Sequence, residues 1–389
     1  MKRNSLYILI AFLTFLIAGN AVASDVDIHG FLAQGFMQSS DNNFLGETEK
    51  GTFEFNEMGI NFTTNATSNL KLGMQFFARD LGDVGNDEII VDWVFGDYSW
   101  KEWLGLRVGK LKVGFGLYNE TRDVDSLRTS ILLPQSVYDE WFRDAGQGLK
   151  GVSAYGNVSL GAAGLLQYEV QINEVSIPLE SGTGKLIESS PNFSALTAID
   201  PMRVYIGILK WHTPIEGLLL GTSGFVTKTS YDVNAAPVGP LANAPLIFEG
   251  DLTYFYLSAE YVWNDLTLST ECRLTENIRN MYPVAAPATK LLDDDKLNST
   301  SYYVSSSYRF LEWFEAGIYY SEKITNDDAS GPANELKDIA LSTRFDVNDY
   351  WTIKLEGHQM DGLANVAPNT DGTSDEDWFM YLAKVSYTF

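Results

Sequence analysis

The chain has 389 residues, of which 51 are Asp or Glu and 27 are Lys or Arg, so its formal net charge at pH 7 is −24. Such acidity argues against a nucleic-acid-binding protein, which needs a basic face. The single cysteine, Cys272, excludes an intrachain disulfide framework. Aromatic residues make up 13% of the chain and 33 residues are glycine, which leaves two main classes: an exported β-sandwich and an outer-membrane barrel.

Residues 1–23 have the pattern of a cleaved export signal. Two basic residues at positions 2 and 3 precede an apolar run over 6–18, and a small-residue A-x-A motif ends at Ala23. The alternative is a transmembrane anchor, but a spanning helix needs about 20 apolar residues and this run is shorter. We therefore predict cleavage after Ala23 and a mature barrel domain of residues 24–389.

Period-2 alternation of apolar and polar residues recurs along the mature chain, whereas the 3.6-residue period of helices is nearly absent. In LLQYEVQIN (165–173), for example, apolar side chains occupy the even positions from 166 onward and polar ones the odd positions. The pattern predicts sixteen strands, at 26–39, 51–64, 69–80, 88–99, 105–118, 147–156, 160–173, 202–212, 217–229, 250–263, 266–277, 299–309, 314–323, 337–345, 350–360 and 377–389.

The connections between these strands are alternately short and long. The short turns are at 65–69, 101–105, 213–217, 263–265, 310–313 and 346–349. The long, mostly acidic connections include 119–146, 174–201, 230–249, 278–298, 324–336 and 361–376. This alternation, with an even strand number, is typical of an all-β, antiparallel transmembrane β-barrel. A β-sandwich also has alternating strands, but it has no reason to place all its long loops at one end.

Aromatic residues recur beside the short turns, where amphipathic rings would lie at a membrane interface. These residues are Trp100, Trp103, Trp211, Trp263, Trp313, Tyr350 and Trp351. The alternative is that they are ordinary core aromatics, but their recurrence at turn after turn favours an interfacial girdle. The girdle would mark the periplasmic end of the barrel.

The chain ends as a strand, YLAKVSYTF (381–389), rather than as a frayed polar tail. With sixteen strands, both termini lie at the periplasmic end, so this strand would pair with the first one and close the barrel. Its apolar odd positions, from Tyr381 to Phe389, would face lipid. Tyr387 and Phe389 resemble the C-terminal assembly signal of bacterial outer-membrane β-barrel proteins. The resemblance implies recognition by the barrel-assembly machinery.

Three further stretches, 27–36, 106–123 and 354–362, resemble segments of Gram-negative porins, in the broad group around the phosphate-selective porins. The resemblance implies a homotrimer of sixteen-stranded barrels, each with its third outer loop folded into the lumen. In this chain the third outer connection is 119–146; the alternative is a solvent-facing flap. Apolar side chains that would pack it on the barrel wall are Ile131, Leu132, Leu133, Val137, Tyr138, Trp141 and Phe142.

The inward parity carries charges of both signs: Lys71, Arg79, Arg107, Arg203, Arg273, Arg344, Lys354, Asp92, Glu169, Glu260, Glu271 and Glu356. A bulge near Gly109 would turn Lys110 and Lys112 inward as well. Mixed charge in a narrow section orients a solute and sets ion preference. The predicted constriction consists of Glu120, Arg122, Asp123, Asp125, Arg128, Arg143 and Asp144 on the connection and Arg79, Arg107, Lys110 and Lys112 on the wall.

These features predict an outer-membrane porin for passive diffusion of small hydrophilic solutes and ions, without a cofactor, an enzymatic activity or a nucleic-acid partner. One alternative is a substrate-specific channel. Inward rings at Tyr254, Tyr256, Tyr303 and Tyr319 would favour sugars, whereas oxyanions would require a dense cluster of Arg and Lys, which the sequence lacks. Two further alternatives are a barrel-form enzyme and an adhesin or structural barrel with a blocked lumen.

Neither a metal site nor a catalytic site is expected. The three histidines, His29, His212 and His358, lack metal-ligand spacing, and no nucleophile is clearly placed beside one of them. His358 faces inward near Glu356; one alternative is that it titrates in the pore, but a hydrogen-bonded histidine at the rim is favoured. The acidic stretches at 293–295 and 371–377 are better read as solvated loop tips than as cation sites.

Overall fold

A computed structural model describes residues 25–146, 148–325, 331–366 and 372–389. The predicted signal segment, 1–23, therefore lies outside the described residues. The strands, numbered in chain order, are β1 Asp27–Ser39, β2 Phe55–Asn65, β3 Leu70–Leu81, β4 Ile90–Lys101, β5 Leu104–Lys112, β6 Gly148–Ser159, β7 Leu165–Val175, β8 Phe193–Ile199, β9 Met202–His212, β10 Leu218–Ala235, β11 Pro245–Trp263, β12 Leu266–Pro283, β13 Leu292–Leu311, β14 Phe314–Thr325, β15 Glu335–Asp346, β16 Trp351–Gly362 and β17 Asp377–Thr388.

Helical structure is confined to short segments. The two α-helical segments are α1 Arg143–Gly146 and α2 Gly182–Glu188. Single 3₁₀ turns are at Asn119–Thr121, Asp125–Leu127, Glu140–Phe142, Gly161–Ala163 and Pro332–Asn334. No helix among the described residues is long and apolar enough to cross a bilayer.

The sheet is antiparallel throughout and closes on itself. β17 pairs with β1, from Met380 opposite Ser39 to Thr388 opposite Phe31. β8 and β9 both pair with β10 and follow one another along its edge, so they form one interrupted strand of the barrel. The seventeen segments therefore make sixteen barrel strands, and the predicted closed, sixteen-stranded antiparallel barrel is confirmed.

The seam between the first and last strands extends to the final residue. The backbone N–H groups of Gly30 and Phe389 each donate to the other residue's carbonyl at 3.0 Å. A Cβ added to Gly30 would lie 2.5 Å from the Phe389 ring, so glycine is what lets this ring lie against β1. The closing role predicted for the C-terminal strand is confirmed.

Side chains alternate between an apolar outer face and a polar inner face of the barrel wall. On β17, Tyr381 is 57% exposed and Val385 40%, whereas Lys384 and Ser386, at positions of the opposite parity, are buried. Other strands repeat this alternation, and their outward side chains form an apolar band that includes Leu72, Val108, Ile172, Leu257, Val304, Leu341 and Leu355. The outer face therefore resembles a surface suited to hydrocarbon.

The orientation of β9 was predicted wrongly. Arg203 was placed on the inward face, but it lies outward beside the exposed Tyr205, and the buried Val204 and Ile206 point inward. The physical reason is that both faces of β9 are apolar, so hydrophobicity does not distinguish them. Hydrogen-bonded register with β7 and β10, which the sequence does not reveal, fixes which face is inside.

Four consecutive strands, β10 to β13, are longer than predicted, at 18 to 20 residues each. The connections predicted at 230–249 and 278–298 shorten to 236–244 and 284–291. Cross-strand charge pairs extend the ladders; Arg279 Nε, for example, donates to Asp295 on β13 at 3.0 Å. Acidic composition indicates a loop in the sequence, but three of the acids, Asp251, Glu276 and Asp295, pair across strands with basic residues.

The bulge predicted near Gly109, which was to turn Lys110 and Lys112 inward, is absent. The β5 ladders pass Gly109 without a register shift, although Gly109 has φ +145° and an added Cβ would meet the Val94 carbonyl at 2.0 Å. The shift lies between β3 and β4, where Gln75 pairs with Trp93 and the next residue with Val91. Asp92 is thereby left without a ladder partner and joins the inward face, where it is buried.

Candidate functional site

After β5 the chain leaves the wall at Lys112 and returns only where β6 begins at Gly148. Residues 113–146, called the long connection below, begin earlier than the predicted boundary at 119 because β5 is shorter than expected. The long connection bonds to inward-facing residues of strands that lie nearly opposite one another around the barrel. These residues include Glu57 on β2, Glu271 and Arg273 on β12, Lys354 and Glu356 on β16, and Lys384 on β17.

Glu140 lies at the centre of three arginines. Its Oε2 accepts from Arg79 Nη1 on β3 at 2.8 Å, and its Oε1 accepts from Arg122 Nη2 at 2.7 Å. Arg143 Nη1 lies 3.4 Å from the same carboxylate and 2.7 Å from Glu57 on β2. All five side chains are buried, so each charge depends on its partners for compensation. This cluster fixes one end of the long connection to β2 and β3.

Asp125 forms a second buried cluster with the last two strands. Lys354 Nζ donates to its Oδ1 at 3.0 Å, Lys384 Nζ lies 3.4 Å away, and Ser386 Oγ donates to its Oδ2 at 2.6 Å. Lys384 also binds Glu57 at 2.7 Å, which joins the two clusters. The middle of the long connection is therefore fixed beside the seam of the barrel.

Glu356 binds the backbone of the long connection directly. Its carboxylate accepts from the N–H groups of Ile131 at 2.7 Å and Leu132 at 2.9 Å. His358 lies 3.0 Å from both Glu356 and Asp338 and is fully buried, so the predicted rim position of this histidine was wrong. The error arose because the sequence shows the inward parity of His358 but not the connection that covers it.

On the opposite side, Tyr138 holds the long connection to β12. Its hydroxyl accepts from the N–H groups of Leu117 at 2.9 Å and Tyr118 at 3.0 Å, and donates to Glu271. Tyr303 on β13 donates to the same carboxylate at 2.9 Å. Of the inward rings predicted from the sequence, Tyr256, Tyr303 and Tyr319 are buried, and Tyr303 and Tyr319 line a hydrophilic cavity.

Most of the apolar residues predicted to pack on the wall are buried. They are Ile131, Leu132, Leu133, Val137, Tyr138 and Trp141. Phe142 is the exception, because it is 37% exposed and lines a cavity instead. Packing and ion pairs together therefore determine the path of the long connection.

Eight of the eleven predicted constriction residues belong to these buried contacts or adjoin them. Arg79, Arg122, Asp125 and Arg143 are in the clusters described above, and Asp144 accepts from Arg79 at 2.7 Å. Asp123 accepts from Gln75 at 2.7 Å and also binds Lys112, while Arg128 donates to the Arg122 carbonyl at 2.8 Å. Such charges neutralise one another in pairs and hold the long connection in place.

The remaining three residues are separate from these clusters. Arg107 Nε donates to Asp97 at 3.0 Å beneath the Tyr155 ring, and Lys110 Nζ donates to the Val91 carbonyl at 2.6 Å. Glu120 is exposed, and its carboxylate has no hydrogen bond or ion pair to a residue that the structure describes. Glu120 is therefore the one carboxylate of the predicted set without an ion pair among the described residues.

Sequence reasoning missed three central residues: Glu57, Glu140 and Lys384. Lys384 lies on the polar parity of the closing strand, and Glu140 lies between Tyr138 and Trp141, which were both predicted to pack on the wall. The parity of Lys384 and the apolar neighbours of Glu140 could therefore have indicated that both side chains face the interior of the barrel. Among the described residues, no group of three or more His, Cys, Asp or Glu side chains is arranged to hold a metal ion.

A hydrophilic cavity of about 320 Å³ lies on the side of the long connection that faces the short turns. Hydroxyl groups line it, from Ser126, Thr129, Ser130, Thr267, Ser269, Ser305, Ser306, Ser307 and Ser342. Charges of both signs, including Arg309, Glu315 and Arg344, complete the lining. Such a surface suits hydrated solutes.

Two carboxyl groups of the long connection have pKa values below their usual range. Burial alone would raise the pKa of Glu140, but the guanidiniums of Arg122, Arg143 and Arg79 outweigh it and lower that pKa. Burial acts on Asp125 in the same direction, and the ammonium groups of Lys354 and Lys384 outweigh it and lower its pKa. Both carboxylates therefore stay ionised in mildly acidic solution.

The two lowered pKa values predict that the long connection stays in place on mild acidification. A carboxyl with a lowered folded pKa stabilises the structure above its unfolded pKa, and this contribution is lost only as pH falls through the folded value. The near-UV circular dichroism of the buried aromatic rings should therefore persist from pH 7 to pH 4. Loss of that signal with a midpoint near the ordinary Glu pKa of about 4.3 would contradict the ion-pair assignment.

The closed sixteen-stranded barrel, with its apolar outer face and a long connection bonded to its inner face, has the fold of the outer-membrane porins. No protein-family model and no curated protein sequence matches the chain. The similarity lies in the fold, as comparison with solved structures shows.

Three solved structures illustrate this likeness. The chain is similar to an anion-selective porin from Comamonas acidovorans (TM-score 0.59, 12% identity, covering 94% of this chain and all of that one). It is also similar to OmpT, an outer membrane protein of Vibrio cholerae, in its trimer form (TM-score 0.60, 11% identity, covering 95% of this chain and all of that one). A third is the outer membrane channel DcaP of Acinetobacter baumannii (TM-score 0.53, 12% identity, covering 96% of this chain and all of that one).

Proposed function

We propose that this protein is an outer-membrane porin through which small hydrophilic solutes and ions diffuse passively, without enzymatic activity. The observation that carries the proposal is the difference in polarity between the outer and inner faces of a closed barrel. Apolar side chains cover its outer face, and charged and hydroxyl side chains line its inner face. Closure leaves no unpaired strand edge in lipid, and an aqueous interior is the usual property of sixteen-stranded barrels.

The proposal includes a route to the membrane and an assembly state. The signal at 1–23 would direct export, and the strand ending in Tyr387 and Phe389 would be recognised by the barrel-assembly machinery. We further propose a homotrimer, a state that the trimer form of Vibrio cholerae OmpT supports by analogy of fold.

Within the predicted constriction we assign two roles. The buried, paired charges hold the long connection: Arg79, Arg122, Asp123, Asp125, Arg128, Arg143 and Asp144. Lys112, bound to Asp123, helps to hold it as well. Glu120 and Arg107 act on permeating ions, whereas Lys110 shares the parity of the outward Val108 on a strand without a register shift and is given no role in the pore. Because Arg107 and Lys112 are paired with carboxylates and Glu120 is not, we propose a weak cation preference rather than phosphate selectivity.

Planar-bilayer recording tests the proposal. The folded protein should give stepwise conductance and, in a KCl gradient, a reversal potential of the sign for weak cation preference. A potential of the opposite sign would favour the oxyanion channel implied by the phosphate-selective porins, and a silent folded protein would refute the porin. A silent protein is the outcome expected if the long connection, which bonds to opposite sides of the wall, blocks the lumen.

Reversing the charge of Arg107 should shift the reversal potential toward cations. The Arg107 guanidinium is partly exposed on the inward face, so Arg107→Glu adds negative charge where ions pass, and Arg107→Gln should give a smaller shift of the same sign. Arg203→Glu is the matched control, because Arg203 is exposed on the outward face. Equal shifts in the two Glu variants would show that Arg107 does not act within the pore.

A further inference from the structure

The inward face of β9 is apolar at three successive inward positions. Val204, Ile206 and Ile208 are buried on that face, beside Gln171 and Asn173 of β7. Val113 of the long connection and Leu149 of β6 complete an apolar cluster with them. An apolar patch inside a water-filled barrel is costly unless something covers it.

The cover is incomplete, because a cavity of about 260 Å³ remains over this patch. It lies on the side of the long connection opposite the short turns, and Ile187 of α2 lines it there. Phe225 and Tyr254 form part of its wall, with ring centroids 4.6 Å apart. The cavity is therefore apolar and aromatic on most sides.

The lining indicates which chemistry the cavity accepts. None of the described residues that line it is charged, in a chain with 51 acidic and 27 basic residues. An ionised group placed there would lose its hydration without a compensating partner. The polar side chains of the lining are uncharged: Thr183, Thr227, Thr229, Ser230, Tyr231, Tyr254 and Asn277. The Thr227 hydroxyl donates to the Arg203 carbonyl and can accept from a ligand hydroxyl, and the Asn277 amide can donate or accept.

We propose that this cavity binds neutral solutes that combine an aromatic ring or short alkyl chain with one hydroxyl group. The site would hold such amphipathic alcohols on the outer side of the long connection, before the hydrophilic cavity near the short turns. Binding itself depends only on the cavity, whereas a role in selecting what enters the pore rests on the proposed function. The two claims are therefore separable by experiment.

Saturation-transfer NMR on the folded protein in deuterated detergent tests the site, with cinnamyl alcohol as the probe and glycerol as the polar comparison. The wild-type protein should transfer saturation to the cinnamyl ring and not to glycerol. Ile206→Trp, which fills the cavity, should weaken binding of cinnamyl alcohol about tenfold or more. Comparison with this variant in the same detergent removes the contribution of probe dissolved in micelles.

Two further variants keep the test decisive. Val204→Thr keeps the side-chain shape but adds a hydroxyl to the apolar patch, so it should weaken binding even if Ile206→Trp fails to fold. Ser305→Ala changes the hydrophilic cavity instead and should leave binding unchanged. Heat-modifiable migration on gels shows which variants are folded.

The outcomes separate the site from the channel. Equal saturation transfer in wild type, Ile206→Trp and Val204→Thr would overturn the site. Binding that these variants abolish, in a protein that is silent in bilayers, would support the site while refuting the porin. Stepwise conductance with no binding of cinnamyl alcohol would support the porin and refute the site.

Discussion

Replacement of Glu140 by alanine should release one end of the long connection and increase the conductance of the proposed channel. The change leaves the guanidiniums of Arg79, Arg122 and Arg143 buried close together without their shared carboxylate. Removing one partner from a buried charge cluster typically destabilises a protein by about 3–5 kcal/mol. The free energy of unfolding, measured by urea titration of the folded barrel, should fall by that amount, and single-channel currents should become larger and noisier.

Glu120→Ala is the matched control, because it removes the same chemical group from the same connection at an exposed, unpaired position. It should change the free energy of unfolding by less than about 0.5 kcal/mol. It should shift ion preference away from cations without increasing noise. If Glu140→Ala proves as mild as Glu120→Ala, the arginine cluster does not hold the long connection.

Replacement of Tyr138 by alanine should release the opposite side of the long connection. The buried ring packs near Tyr118 and Tyr303. Its hydroxyl donates to Glu271 and accepts from the N–H groups of Leu117 and Tyr118. Loss of a buried aromatic side chain typically costs about 3–5 kcal/mol. The free energy of unfolding should fall accordingly, and conductance should rise as the connection leaves β12.

Tyr138→Phe separates the contributions of ring and hydroxyl. It keeps the ring but leaves the Tyr118 N–H without its hydrogen-bond partner, which should cost about 1–3 kcal/mol. Conductance should then stay close to the wild-type value, because the ring still fills its place. A phenylalanine variant as noisy as the alanine variant would show that the hydrogen bonds alone, and not packing, position the connection.

The barrel could be predicted because its signals are local. Alternation along each strand, the regular spacing of short turns and an apolar C-terminal strand are readable within a few residues of sequence. The errors lie where two faces look alike or where composition misleads. On β9 both faces are apolar, and between β10 and β13 acidic residues paired across strands were read as loops.

The pairing within the candidate site could not be predicted, because it joins residues that are distant in the chain. Arg143 meets Glu57, and Glu57 meets Lys384. Neither contact follows from local periodicity, since both depend on where the long connection lies inside the closed barrel. The sequence indicated that charged residues of both signs face inward, but not that most of them neutralise one another.

Lys384 imposes an order on the maturation of this barrel. Its ammonium group belongs to the last strand, yet it bonds to Glu57 on the second strand and lies 3.4 Å from Asp125 in the long connection. A chain that still lacks its final strand has no ammonium group at this position, so among the described residues Asp125 would have only Lys354 and Arg128 as nearby cations. The long connection can therefore complete its contacts only after the final strand has joined the sheet, which couples closure of the barrel to the ordering of this segment.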